Sequence, residues 1–254
     1  MSTKIFLLTL LSMSLLSAMI VTSSAQTRTA GVSPGDWFKG NITVNWSSND
    51  PNATFPPSRY EWLEEMNETD WMLISVLSVS GTNITLQSTS HFKNGNETIE
   101  SGWLNIDTGE GNMTWMAISA NLNANDTLYT SGPISQYTIN ETLTRTYPDS
   151  VRETNLLNMT YEYSWTIDET QYYYYFTENF YWDKAAGILV EDYFGEINQT
   201  GEYTTSWSSL YRITESNVWV VPEFPTWTAI LIVFVIITAA TVLYKRRPTK
   251  IWIH

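Results

Sequence analysis

The apolar positions of this chain follow three patterns. From Ile5 to Val21 they run together, interrupted only by Ser and Thr. From Thr226 to Tyr244, nineteen residues carry no charge. Between these blocks the apolar residues come in short, partly alternating runs bounded by Gly, Asn, Asp and Pro, which is the pattern of β-strands joined by turns. Strands are predicted over 72–79, 84–92, 98–107, 114–119, 135–147, 151–158, 161–168, 172–182, 187–194, 203–213 and 218–221. Gly81-Thr82-Asn83 reads as a turn, and Asn94-Gly95 is a strong hairpin signal. One short helix is predicted over 59–66, with Ser58 as N-cap and Glu61 as the reciprocal acid of a capping box. The expected fold is mostly β: an antiparallel meander forming a curved sheet, half-barrel or sandwich with one short helix.

The two long apolar blocks belong to the ends. Lys4 precedes the first, and Ser23-Ser24-Ala25 follows it, giving a charged start, an apolar stretch and a small-residue cleavage site. Residues 1–25 are therefore expected to be a signal peptide, cut between Ala25 and Gln26. As a helix, 226–244 is about 28 Å long, enough to cross the hydrocarbon core. Trp227 and Tyr244 sit at its edges, where amphipathic rings favour the interface. Lys245, Arg246, Arg247 and Lys250 follow, so the expected arrangement is a single span with residues 245–254 as a basic cytoplasmic tail and residues 26–221 outside.

Just before the span stands Pro222-Glu223-Phe224-Pro225, a Pro-rich junction over 222–225. Motif, span and basic cluster in that order resemble the archaeal PEF-type C-terminal sorting signal. The resemblance implies an archaeosortase-like transpeptidase as partner, which cuts near the motif and passes the protein to a lipid. A permanent anchor with a proline hinge is the alternative reading. Over 181–191, Tyr181, Asp183, Gly187 and Leu189 are similar to the Tyr-x-Asp-x-x-x-Gly-x-Leu hairpins of extracytoplasmic β proteins. Asp183 is expected to bond turn amides there, and Gly187 to supply a positive φ. With Gly35-Asp36-Trp37, the chain resembles uncharacterised archaeal surface proteins, and at the level of fold the curved sheet of LolA-like lipoprotein carriers.

Charge sharpens this picture. All 26 acidic residues, but only 8 of the 13 basic ones, lie between Gln26 and Pro225, giving that stretch a net charge of 8 − 26 = −18. Nucleic acid and anionic lipid are repelled by such a surface. Solubility and cation binding are the two readings of the acidity. The absence of cysteine removes thiol catalysis, disulfides and Cys-based zinc sites. Eleven asparagines open an Asn-x-Ser/Thr triplet: Asn41, Asn45, Asn52, Asn67, Asn83, Asn96, Asn112, Asn125, Asn140, Asn158 and Asn198. Chance placement of the 19 asparagines in this region would give about four, so N-linked glycans are expected partners.

Candidate chemistry is sparse. His91 is the one histidine between the end blocks and reads as a surface or edge residue. The run 107–112 has oxygen side chains at alternating positions and resembles a calcium loop, or simply a Gly-rich turn. No phosphate loop, dinucleotide fingerprint, zinc-protease motif or nucleophile elbow is present. No cofactor and no catalytic or metal residue is expected. Tyr172-Tyr173-Tyr174-Tyr175-Phe176 reads as a central strand covered on both faces, or as a stacking platform for sugar or lipid. The expected function is a non-enzymatic cell-surface glycoprotein, an envelope component or ligand/adhesion module. An extracytoplasmic carrier or sensor of an apolar ligand or glycan is the second reading, and a carbohydrate-active enzyme the third.

Overall fold

The structure is a computed structural model that describes residues 27–57, 60–148 and 150–219. The expected signal peptide with Ala25 and Gln26, the motif 222–225, the expected span 226–244 and the basic residues after it all lie outside these residues. Nine strands form one open antiparallel sheet: β1 (Trp37–Ser48), β2 (Thr69–Ser80), β3 (Asn83–Phe92), β4 (Glu97–Asn105), β5 (Glu141–Tyr147), β6 (Ser150–Ile167), β7 (Thr170–Asp183), β8 (Leu189–Thr200) and β9 (Tyr203–Ser216). Their order across the sheet is β4-β3-β2-β1-β9-β8-β7-β6-β5. A seven-residue helix, α1 (Trp62–Glu68), is the only helix among the described residues. No helix there is long and apolar enough to cross a membrane.

The mostly β, antiparallel expectation holds, with several corrections in detail. β1 was not anticipated, yet it stands at the centre, paired with both β2 and β9. The expected strands over 151–158 and 161–168 are one strand, β6. The helix begins at Trp62 rather than at 59. Its N-cap is Glu61, in αR geometry and without a side-chain cap bond, and Leu63 anchors it by burial instead. Residues 114–119 and 135–140, the latter ahead of β5 in the expected strand 135–147, were expected to be strands. They belong instead to the connection between β4 and β5.

That connection, 106–140, is forced by the topology. β4 and β5 lie at opposite edges, so the chain must cross the full width of the sheet. It does so as a packed layer rather than a free loop: Ile106, Ala117, Ile118, Leu122, Leu128 and Tyr129 are fully buried. Such long irregular connections are uncommon, and their backbone groups must find partners. Here Ile118 N–H donates to Gly187 O (2.8 Å) and Leu189 N–H to Met116 O (2.9 Å). Trp182 Nε1 donates to Trp115 O (2.8 Å), Asn155 Nδ2 to Leu122 O (3.0 Å) and Tyr129 Oη to Ala117 O (2.8 Å). The apolar run at 114–119 thus makes core without making a strand. Residues 218–219, expected to begin a last strand, form no strand; Trp219 packs edge-on to Phe38, 6.5 Å away.

Side chains also show that the β5–β9 half coils. Arg145 on β5 reaches Glu191 on β8 at 2.5 Å, and Arg212 on β9 donates to Thr146 O on β5 at 2.5 Å. In a flat sheet these strands would lie about 14 and 19 Å apart. The two arginines share the buried Glu191 carboxylate, and each also lies over a tyrosine ring: Arg145 on Tyr181 at 4.1 Å and Arg212 on Tyr147 at 5.1 Å.

Candidate functional site

The second half of β6 reads Tyr161-Glu162-Tyr163-Ser164-Trp165-Thr166-Ile167, with rings and Ile on odd positions and polar side chains on even ones. A strand turns these into two faces. On one face Tyr161, Tyr163 and Trp165 stand opposite Phe176, Tyr174 and Tyr172 of β7. Ring centroids are 5.7, 6.4 and 5.4 Å apart, and the Trp165 and Tyr172 planes differ by only 6°. Such cross-strand pairs stabilise a hairpin by about 0.2–1 kcal/mol each. The rings continue inward on the same face: Phe176 meets Phe194 at 4.8 Å, and Phe194 stacks on Trp207 at 4.6 Å.

Coverage divides this strip in two. Towards the sheet centre, the segment entering α1 lies over it: Tyr60 is 4.7 Å from Trp207, and Trp62 is 5.8 Å from Phe194. Glu196, 1% exposed, is held there by hydrogen bonds from Tyr60 Oη, Tyr174 Oη and Asn198 Nδ2. Outward from this lock, Tyr161, Tyr163, Trp165 and Ile167 are 44–56% exposed. A separate cavity of about 400 Å³ at the outer end is lined mainly by the opposite face of the hairpin, with Ser164, Thr166, Gln171, Tyr173 and Gln199. The tyrosine run 172–176 is half-buried, not sandwiched between layers, because no layer of the described residues reaches the outer half of the sheet. The two-residue hairpin beyond has Asp168 and Glu169 both at positive φ (47° and 65°). That is the primed turn a hairpin needs, made here without glycine.

The sequon asparagines distribute around the strip. Nine of the eleven are exposed; Asn67 and Asn198 are half-buried, with their amides bonded to Glu68 and Glu196. From Asn41 to Asn158, successive sequons are 4–18 residues apart. The next gap, to Asn198, spans 40 residues and contains the exposed aromatic hairpin. No Lys or Arg lies between Arg152 and Lys184 either, while Glu162, Asp168, Glu169 and Glu178 do.

Other candidates resolve into structure. His91 stacks on Trp71 (4.7 Å, 6°) and pairs with Glu97 at 3.1 Å, with Lys39 over the other side of the row. In the 107–112 turn, Asn105 Oδ1 accepts from Asp107 N and Thr108 N, and Asp107 Oδ1 accepts from Thr130 Oγ1. These bonds are those of a turn. Asp183 behaves as expected: its Oδ1 accepts from Ala186 N at 2.8 Å, and Gly187 has φ +73°. In addition, the Arg152 fork grips Asp183 from Nε (2.7 Å) and Nη2 (3.2 Å). Among the described residues, no three His, Cys, Asp or Glu side chains gather in a group that could hold a metal ion.

One carboxyl group escaped sequence reasoning. Asp192 on β8 lies opposite Tyr211 on β9, and Glu178 on β7 is its diagonal neighbour. Burial, followed by the Glu178 charge, pushes Asp192 up to about 7. Burial also raises Glu178. Asp192 Oδ1 and Tyr211 Oη are both buried without a hydrogen-bond partner. No local signal in the sequence marks this pair; it exists only once β7, β8 and β9 are in register. No family model and no curated protein matches the chain.

Proposed function

We propose that this chain is a non-enzymatic cell-surface glycoprotein, a ligand or adhesion module displayed on a membrane anchor, and that the outer aromatic strip is its contact surface. The observation that carries the reading is the exposure of that strip. Tyr161, Tyr163, Trp165 and Ile167 form one contiguous apolar face outside a sheet whose base is already filled by 106–140. Exposed contiguous apolar area on a folded protein marks an interaction site. The flanking acids, with no Lys or Arg in the sequence between Arg152 and Lys184, favour a neutral partner such as a sugar ring over an anionic headgroup. The stacked rings of Trp165 with Tyr172 and Tyr163 with Tyr174 suit the apolar face of a sugar. A ligand would lie on the strip, not inside the sheet.

The display half of the proposal rests on the signal peptide over 1–25, the span over 226–244, the basic cluster and the eleven sequons. The sorting motif at 222–225 adds a transpeptidase that exchanges the span for a lipid. Mass spectrometry of the protein from its own membranes tests this half. The expected product starts at Gln26 and carries glycans on most exposed sequons; an unglycosylated chain starting at Met1 would refute it. The contact half is tested by binding of the full chain to an array of neutral, amino and acidic oligosaccharides. Trp165→Ala and Tyr163→Ala should each weaken binding about tenfold, the loss of about 1.4 kcal/mol expected of one stacking ring, while lowering Tm by no more than about 4 °C, the share of one cross-strand pair. Binding that is indifferent to both variants would remove the strip from the function.

A further inference from the structure

The strip borders an open edge. β5 pairs with β6 only over 150–156, so from there on β6 is the last strand of the sheet among the described residues. Residues 160–169 are exposed. Hairpin geometry fixes which backbone groups face outward. In a two-residue hairpin the closing pair, here Ile167 and Thr170, exchanges both its hydrogen bonds. Odd residues of β6 therefore bond to β7, and even ones point away from it. The inner part of the strand agrees: Leu156 O accepts from Asn140 N, and Asn158 N–H donates to Asn140 Oδ1. Beyond them, the amides and carbonyls of Thr160, Glu162, Ser164 and Thr166 meet no strand among the described residues.

Proteins blunt such edges with Lys, Pro, bulges or brevity. The stretch 159–167 has none of these: it holds no Lys and no Pro, and it pairs with β7 without a bulge. It is also symmetric in chemistry about its middle residue. Met159-Thr160-Tyr161-Glu162-Tyr163-Ser164-Trp165-Thr166-Ile167 places aliphatic with aliphatic, Thr with Thr, aromatic with aromatic and Glu with Ser at equal distances from Tyr163. A sequence symmetric in this way complements itself when two copies run antiparallel.

We propose that the free half of β6 pairs edge to edge with the same segment of a second copy of this chain, across a two-fold axis at Tyr163. Tyr163 then faces the partner's Tyr163, Tyr161 faces the partner's Trp165, and Met159 faces the partner's Ile167. Thr160 and Thr166 exchange backbone bonds with the partner's Thr166 and Thr160, and Glu162 and Ser164 with the partner's Ser164 and Glu162. Charge selects this register. An axis at Glu162 would set that carboxylate against itself, and an axis at Trp165 would set it against Asp168; like charges directly opposite destabilise. An axis at Ser164 avoids the clash but brings Met159 opposite the charged turn residue Glu169. In the Tyr163 register the aromatic faces of the two copies adjoin on one side of a continuous sheet, widening the strip without covering it. No sequon falls within 159–167; Asn158, the nearest on this strand, stands just outside the paired segment.

Because the chain has no cysteine, single cysteines report the register directly. Opposed non-hydrogen-bonded residues have Cα atoms about 4.5 Å apart, within disulfide range. In the full-length chain under mild oxidation, Tyr163→Cys should give a disulfide dimer at least about tenfold faster than Tyr161→Cys or the exposed β4 control Ile99→Cys. Tyr161→Cys should cross-link only when mixed with Trp165→Cys. By light scattering, the unmodified chain should be a dimer and Ser164→Pro, which removes one outward amide, a folded monomer. A monomeric unmodified chain with no preferred cross-link overturns the proposal and leaves the edge to an extended segment of another protein. Fastest cross-linking at Ser164→Cys overturns the proposed register. The readout needs no ligand, so it stands or falls apart from what the strip binds.

Discussion

Asp192 makes the stability of this fold depend on pH in the opposite sense to most carboxylates. Its Oδ1 is buried without a partner, opposite the equally buried Tyr211 hydroxyl and diagonal to Glu178. The group is raised from 3.8 to about 7. The folded protein therefore holds this proton at pH values where the unfolded chain has already released it. Stability from this group is complete below about pH 4 and is lost as pH rises towards 7. The displacement corresponds to at most about 4 kcal/mol, each tenfold change in proton affinity being about 1.4 kcal/mol. Raised Glu178 adds to the same trend. Asp192→Asn keeps the shape and cannot ionise. Its thermal unfolding midpoint should match or fall slightly below that of the parent near pH 4 and exceed it by several degrees at pH 8, since about 1 kcal/mol shifts a domain of this size by about 2–4 °C. Midpoints measured at half-unit intervals between pH 4 and 8 decide the matter. Two parallel curves, with a constant offset throughout, would refute the account.

Two further substitutions probe the turn that anchors the crossing layer. Asp183→Ala leaves the Arg152 guanidinium without its carboxylate and removes the acceptor for Ala186 N, so urea titration should show a loss of about 3 kcal/mol or more. Gly187→Ala places a Cβ 2.3 Å from Ile118 O at a φ of +73°; a loss of at least about 2 kcal/mol is expected, and an unchanged denaturation midpoint would show that 106–140 yields locally instead of holding firm.

Much of the sheet was legible because its hairpins are local. Gly81, Gly95 and Gly187 all sit at positive φ where their turns were expected, and the strands flanking them fall close to the predicted ranges. β1 escaped notice although Ile42, Val44 and Trp46 alternate cleanly with Thr43 and Asn45. Its apolar residues are few, and its place was decided by β9, some 160 residues later in the chain. The 114–119 run failed for the complementary reason. Its apolar content is that of a strand, but both faces of the layer it enters are occupied by side chains, and only the isolated bridge between Ala117 and Ile188 forms there. The candidate site was half legible. The tyrosine run of β7 stood out by composition, whereas its partners Tyr161, Tyr163 and Trp165, spaced by polar residues, showed only as a period of two. Exposure decides between a covered strand and an open platform, and exposure depends on where 106–140 and α1 stop.

The central position of the last strand has a mechanical side. β9 runs from Tyr203, at the hairpin end of the sheet, to Ser216, which pairs with Phe38 at the base, a length of about 45 Å. A pull arriving through the chain after Ser216 and resisted by something gripped on the aromatic strip would travel along the strand axes. It would load β9 in shear, shared by β1 on one side and β8 on the other. Sheared ladders yield only when many hydrogen bonds fail together, whereas an edge strand unzips one bond at a time. The same sequence order that made β1 hard to foresee therefore places β9 where tension along the chain shears it and does not peel it.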